Sequence, residues 1–333
     1  MKKLFLTLVA AIVAVTATVA QNTLVATLSH GSEITMYYGT NALRDAYNVA
    51  VSGDVINLSG GGFQAVEIQK TLTIRGTGIE DANPTMITGT GNTTLFIGNT
   101  GTGRLIMEGI TFNCREGVNM YGTINNLYFV KCKFNKIGFH SSATINNATF
   151  INCKITESYN CYGSNPVVSS QFINSYVYRF TCSQSSSASF INCVVSGIDV
   201  NSMNCSQFYN SVLFYNGNSS LSLPSSSIAT NCVAIGLSQI FNNSQTNPGC
   251  MTATFEEVFK DFTGTYSSSQ TFELTDEAKN KLLGTDGTQV GLYGGVMPYT
   301  SIPSYPRITK MNVANKTTAD GKLSVDIEVS AAQ

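Results

Sequence analysis

Tryptophan is absent from this chain, histidine occurs twice, and only 12% of the 333 residues are charged, for a net charge of −1. So small and balanced a charge gives no electrostatic grip on nucleic acid or on an anionic membrane surface. Carboxylates are scarcest in the middle of the chain, where Glu116, Glu157 and Asp199 are the only acids among the 137 residues from Cys114 to Cys250. A glycoside hydrolase needs two carboxyl groups facing each other across the scissile bond, and a calcium ion needs several acids around it. This stretch has no tight cluster of either kind. With no CxxC pair and only His30 and His140 as histidines, no metal site is expected. No Ser-His-Asp arrangement, phosphate-binding loop or dinucleotide fingerprint is present; TGTGNTT and GNTGTG are glycine-containing turns without the Lys or helix those loops require.

Long apolar runs are also missing, with one exception. Lys2 and Lys3 precede an apolar and small-residue run from Leu4 to Ala20, and Thr18 and Ala20 place small side chains at −3 and −1 before Gln21. This pattern predicts a secretory signal, residues 1–20, cleaved after Ala20. No other run approaches the roughly 18 residues that span a bilayer, so the expected mature protein is secreted, periplasmic or cell-surface and does not span a membrane.

What the chain has in abundance is repetition. Residues 123–132, TINNLYFVKC, return 21 residues later as TINNATFINC. Extended outward, the pattern gives a column Cys114, Cys132, Cys153, Ser175, Cys193, Ser211, Cys232, preceded by Asn or Lys and spaced by 18 to 22 residues. Three residues before each anchor stand Phe129, Phe150, Phe172, Phe190 and Phe208, with Thr111 and Ala229 at the ends; two residues after it the row is apolar except at Glu116. A repeat near 20 residues signals a solenoid. Its units are short, β-branched and aromatic, separated by Gly, Ser and Asn, and leucines are too few for a leucine-rich repeat, so stacked strands are expected. The fold class is therefore all-β, a parallel β-helix that bends at Asn-Cys. Stacked cysteines lie within disulfide reach, and Cys161 and Cys182 suggest a second column. Ser at two places in the column and the odd total of nine favour small corner-filling residues instead.

The flanks are different in kind. Thr40 or Asn41 begins a helix whose Leu43, Ala46, Tyr47 and Ala50 share a face and which Gly53 closes, a cap for the open solenoid end. Asp54–Leu58 and Thr71–Arg75 read as strands, with Ser59–Phe63 as a turn. Seven of the 20 carboxylates crowd between Glu256 and Asp286, where 254–262 and 276–283 read as short helices. After SIPSYP, residues 307–314 and 322–329 read as two strands of a tail that covers the C-terminal edge or attaches the protein elsewhere. The expected domains are a β-helix over 21–300 with its cap and terminal coils, and a linker with a two-strand tail over 301–333.

The run NALRDAYNVAVSGDVINLSGGGF followed by KTLTIRGTG resembles the opening of right-handed parallel β-helix proteins of the pectin-lyase-like superfamily, and the Asn-Cys copies match that superfamily's internal repeat. GTDGTQVGLYGGVMPY resembles the segment that closes the solenoid in secreted β-helix proteins of Bacteroidetes-type bacteria. The likeness spans roughly residues 38 to 250 and implies a right-handed coil. It implies no single activity, since the superfamily holds polysaccharide lyases, glycosidases, adhesins and proteins with no assigned reaction.

Two functions are compatible with these residues. One is a non-catalytic scaffold that binds a polysaccharide or surface glycan, with Tyr159, Tyr162, Tyr176 and Tyr178 as stacking platforms and Arg179 and Glu157 as polar contacts. The other is a polysaccharide lyase working by β-elimination on a uronate polymer, with Lys133, Lys154 or Arg115 as base and calcium as the only cofactor to consider. Arg115, Lys133 and Lys154 all follow the anchor, so they are expected to stack on one outer face, with Lys131, Lys136 and Arg179 nearby. A solvated polar face accounts for the same ladder.

Overall fold

The structure, a computed structural model, describes residues 24–88, 94–161, 167–182, 186–197, 206–215, 227–237, 247–265, 267, 270–313, 316–318, 320–322 and 324–330. The expected signal segment, Tyr162 and Cys205 lie outside the described residues. The chain folds as a right-handed parallel β-helix. An 11-stranded sheet and a 13-stranded sheet run along it, and apart from the antiparallel strand pair at the N-terminal end, each coil hydrogen-bonds in parallel to the next.

The cause of the repeat is a backbone corner. Gly109, Lys131, Asn152, Asn174, Asn192, Asn210, Asn231 and Gly249 occupy equivalent places in successive coils, and all have positive φ, from 45° at Asn174 to 69° at Gly249. Only glycine adopts this left-handed conformation freely, and Asn tolerates it best among the others. The predicted bend is therefore real. TINN marks a second one: Asn126 and Asn147 have φ of 52° and 58°. The side chains of these turns bond up the stack, Asn146 Nδ2 donating to Asn125 Oδ1 at 2.8 Å.

The residue after each corner points inward and, from Cys132 onward, is Cys or Ser. Cys132, Cys153 and Cys193 donate Sγ–H to Met107, Phe129 and Phe172 carbonyls at 3.3 to 3.4 Å, and Ser175 does the same to Phe150 at 3.2 Å. Cys114, Cys132, Cys153, Cys193, Cys232 and Cys250 are free thiols. Cys114 does not belong to this column. Lys133 pairs with Thr111 and Phe134 with Phe112, so Ile110 fills the slot beneath Cys132, and Cys114 lies beyond the strand Thr111–Asn113. At the other end Met251 pairs with Val233, which places Cys250 on Cys232 and extends the column by one coil. Cys161 and Cys182 are in register, as a second column requires.

Phenylalanines fill the interior in two interlocked files. Phe129, Phe150, Phe172, Phe190 and Phe208 stack with ring centroids 4.8 to 5.3 Å apart. Phe134, Tyr159 and Phe180 meet them edge-on. Each buried ring contributes about 2 to 3 kcal/mol by area, and each well-placed ring pair about 1 kcal/mol more.

The helix Ala42–Val49 caps the N-terminal end with Ala42, Leu43 and Ala46 fully buried. Its C-terminus is satisfied by Lys70 rather than by Gly53: Lys70 Nζ donates to the carbonyls of Tyr47, Asn48 and Ala50. Ser59–Phe63 is only partly a turn, since Gly61–Gln64 forms a strand of the second sheet. The short helices are Phe255–Val258, with a capping box from Thr254 and Glu257, and Asp276–Lys281. They belong to a layer that covers the outside of the second sheet. There Tyr176, Val194, Val212 and Val233 point outward into a second apolar core with Val258, Phe262, Phe272 and Leu292.

From that layer the chain does not add a coil; it turns back along the corner. Leu283 accepts from Asn231, Thr285 bonds Asn210, the carbonyls of Leu292 and Gly294 accept from Asn174, and Pro298 accepts from Asn152. This strap explains the glycines of GTDGTQVGLYGGVMPY. A Cβ on Gly294 would lie 2.5 Å from Asn192 Nδ2, and one on Gly284 2.7 Å from Asn210 Cγ. The strap ends near the opposite end of the solenoid, with Ser304 on Glu108 and Tyr305 over Arg75. The two-strand tail, Arg307–Val313 with Val325–Ser330, is thus rooted toward the N-terminal end, not at the C-terminal edge expected from the sequence.

Candidate functional site

The residues singled out from the sequence fall into three separate environments. Lys133 and Lys154 are in register on the outer side of the second sheet, as expected. Arg115 is not with them, because Thr111 holds the equivalent position; Arg115 sits in an exposed turn 3.7 Å from Glu116. Nor is Lys154 a solvent-facing base. Its side chain is 8% exposed, donates to Glu80 Oε1 at 2.7 Å and lies 5.2 Å from the centre of the Tyr299 ring. Burial pushes the Glu80 carboxyl up, but hydrogen bonds from Lys154 and Ser301 outweigh it and hold the group below the usual range. Glu157 pairs with Lys136 at 3.3 Å.

Beneath the same part of the strap lies Lys131, buried and in the left-handed corner that Asn occupies in later coils. Desolvation depresses its ammonium, and the nearby Glu108 carboxylate only partly restores it. Glu108 is itself buried and accepts from the backbone N–H of Ser304 at 2.8 Å. Glu80 and Lys154 pair beneath Tyr299 and Glu108 binds the strap at Ser304, while Glu80, half exposed, also lines a small opening with Asp81, Ala82, Ser301 and Ile302.

The tyrosines are placed against their expected role. Tyr159 is 1% exposed within the Phe files, and Tyr176 is fully buried under Phe272, ring centroids 4.5 Å apart. Neither offers a face to a sugar. Tyr178 is half-buried with the exposed Arg179 guanidinium 5.2 Å from its ring centre.

Another opening lies on the outer side of the first sheet, a cleft of about 280 Å³. Its walls come from rows of outward residues in consecutive coils. Thr149, Gln171, Ser189 and Gln207 pair in sequence, and Ser169 pairs with Ser187 beside them. Ala148, Ser170 and Ala188 contribute backbone to its floor, their side chains pointing into the solenoid, where Ser170 hydrogen-bonds Tyr159. No lining side chain is charged. Rows of hydroxyl and amide groups repeating every strand spacing of about 4.8 Å can both donate and accept hydrogen bonds along an extended ligand. Sequence reasoning missed this cleft, although a signal existed: four residues before each anchor the chain is polar at Thr149, Gln171, Ser189 and Gln207.

Among the described residues no three His, Cys, Asp or Glu side chains come together as a metal-holding group, and no helix is long and apolar enough to cross a membrane. No protein-family model matches this chain, and no curated protein matches it in sequence. The class it belongs to is set by the coils themselves: a parallel β-solenoid whose corner is covered by its own C-terminal strap.

Proposed function

We propose that this is a secreted or cell-surface β-helix protein of the pectin-lyase-like kind, similar to those of Bacteroidetes-type bacteria, and that it acts as a non-catalytic scaffold that binds a glycan in the first-sheet cleft. The observation that carries this reading is the uncharged outward row Thr149, Gln171, Ser189, Gln207 along the cleft. Hydroxyl and amide groups match the donor and acceptor pattern of sugar hydroxyls, and a groove open along the solenoid suits a polymer. The engagement of Lys154 with Glu80 speaks against lyase chemistry on the second sheet.

The test is a glycan array probed with the full chain and with the Gln171→Ala and Gln207→Ala variants. Each lost amide is expected to weaken binding by up to about tenfold, the equivalent of about 1.4 kcal/mol. Binding to no glycan removes the reading. Incubation with uronate polysaccharides checks the lyase alternative: unsaturated product that disappears in Lys133→Ala would replace the scaffold by an enzyme.

A further inference from the structure

Two strands at the margins of the fold carry apolar faces that nothing among the described residues covers. Glu33–Tyr38 ends the 11-stranded sheet and pairs, among the described residues, only with Val25–His30. Its Ile34, Met36 and Tyr38 alternate onto one face and are 66%, 56% and 61% exposed. In the C-terminal hairpin Val325, Ile327 and Val329 likewise share a face and are 47%, 49% and 61% exposed. A two-stranded hairpin is marginal in water unless one face is packed against something. The two stripes match: three apolar side chains at every second residue, each over about 13 Å.

Their placement selects the occupant. The strap roots the hairpin through Ser304 on Glu108 and Tyr305 over Arg75, and the strand Thr73–Arg75 is separated from Glu33–Tyr38 by only two strands in the sheet order. Donor face and acceptor face thus lie toward the same end of the molecule. If they lay at opposite ends, copies would add head to tail into a fibre. At one end, a two-fold axis lets each copy give its hairpin and receive the other's, which closes the assembly at two.

We propose that two copies associate through their N-terminal ends by reciprocal hairpin exchange, the Val325, Ile327 and Val329 face of each packing on the Ile34, Met36 and Tyr38 stripe of the other. Face-to-face packing at about 10 Å buries both stripes twice over, once for each half of the pair.

Light scattering after size exclusion tests this on the full chain, on Ile34→Lys/Met36→Lys and on Ile327→Lys/Val329→Lys. All four substituted positions are exposed, so both variants are expected to melt like the parent by circular dichroism. The parent is expected at twice the monomer mass and each variant at the monomer mass. An equimolar mixture of the two variants should associate again, because one intact stripe and one intact hairpin remain to meet. A monomeric parent overturns the proposal, as does a dimer that survives in either variant. A mixture that stays monomeric also overturns it, pointing to stripe-on-stripe or hairpin-on-hairpin contact.

Discussion

Replacing Asn174 by Ala tests how the strap is held. Asn174 is 2% exposed, has φ of 45°, and donates both amide hydrogens at 2.8 Å, one to the Leu292 carbonyl and one to the Gly294 carbonyl. Removing them leaves two buried acceptors without partners, at about 1 kcal/mol each. Forcing Ala into the left-handed corner adds about 1 kcal/mol. The total is about 3 kcal/mol, and a chain of this length should lose roughly 1 M in its urea midpoint. Asn126→Ala is the internal control. Asn126 has φ of 52°, but its amide makes only two long contacts in an exposed setting, donating to the Thr102 carbonyl and accepting from Asn147 Nδ2, each at 3.4 Å. The control therefore carries the conformational cost of about 1 kcal/mol and little else. Limited proteolysis between Thr285 and Ser301 should accelerate in Asn174→Ala alone. A midpoint for Asn174→Ala no lower than that of Asn126→Ala would refute the claim that the asparagine column anchors the strap.

Four further outcomes follow from the same geometry. Lys131→Asn should raise stability by about 1 kcal/mol in urea titration, since it places the residue of the later coils in a left-handed corner. Because burial depresses the Lys131 ammonium, the unfolded chain binds more protons; the penalty is full at neutral pH and fades as pH rises toward the ordinary lysine range, so the advantage of Lys131→Asn should shrink in alkaline buffer. Glu80→Gln should cost about 1 to 2 kcal/mol by thermal melting at pH 7, because it leaves the buried Lys154 ammonium without its carboxylate. The Glu80 carboxyl is held below its usual range in the fold, so its contribution is present above that range and lost on acidification, and the gap between variant and parent should close as the pH falls toward 3. Cys153→Ser should change stability by less than about 1 kcal/mol, as Ser175 already makes the same bonds one coil on. In thiol titration of the folded protein, Cys250 should react before the buried Cys114, Cys132, Cys153, Cys193 and Cys232, being half-buried and lowered by its contact with Cys232, whereas burial pushes Cys193 up to about 12.

The solenoid was legible because stacking demands that equivalent residues recur, and the Phe and corner columns recur almost without exception. The first copy was misread for a physical reason. Asn113-Cys114 imitates the corner dipeptide, but membership of a column is decided by cross-coil hydrogen bonds, and those place Gly109-Ile110 at the corner. Thr111 and Glu116, which broke the Phe and apolar rows, were the visible sign of the wrong frame. Gly249-Cys250 was passed over at the other end because it has no Asn, although glycine suits the left-handed corner even better.

The site was harder to read because burial of an outward side chain depends on chain far away in sequence. Tyr176 follows the corner exactly as Lys133 and Lys154 do, and local pattern alone makes all three surface residues. Yet Tyr176, Val194, Val212 and Val233 are roofed by residues 258–292, while Lys154 meets Tyr299 and Glu80 at the margin of that roof. The information was present in the triplets after each corner. YVY, VVS, VLF and VAI are apolar at successive positions, and a strand apolar on both sides is covered on both sides. KFN and KIT alternate instead, so the change from Lys154 to Tyr176 marks in sequence where the covering layer begins. Three residues before the corner the outward row is polar at Thr149, Gln171, Ser189 and Gln207, between Ile106 and Tyr128 on one side and Ile228 on the other. Outward rows read in this way locate both the lid and the cleft, because a stacked coil exposes its function only where its outward side chains stop repeating the needs of packing.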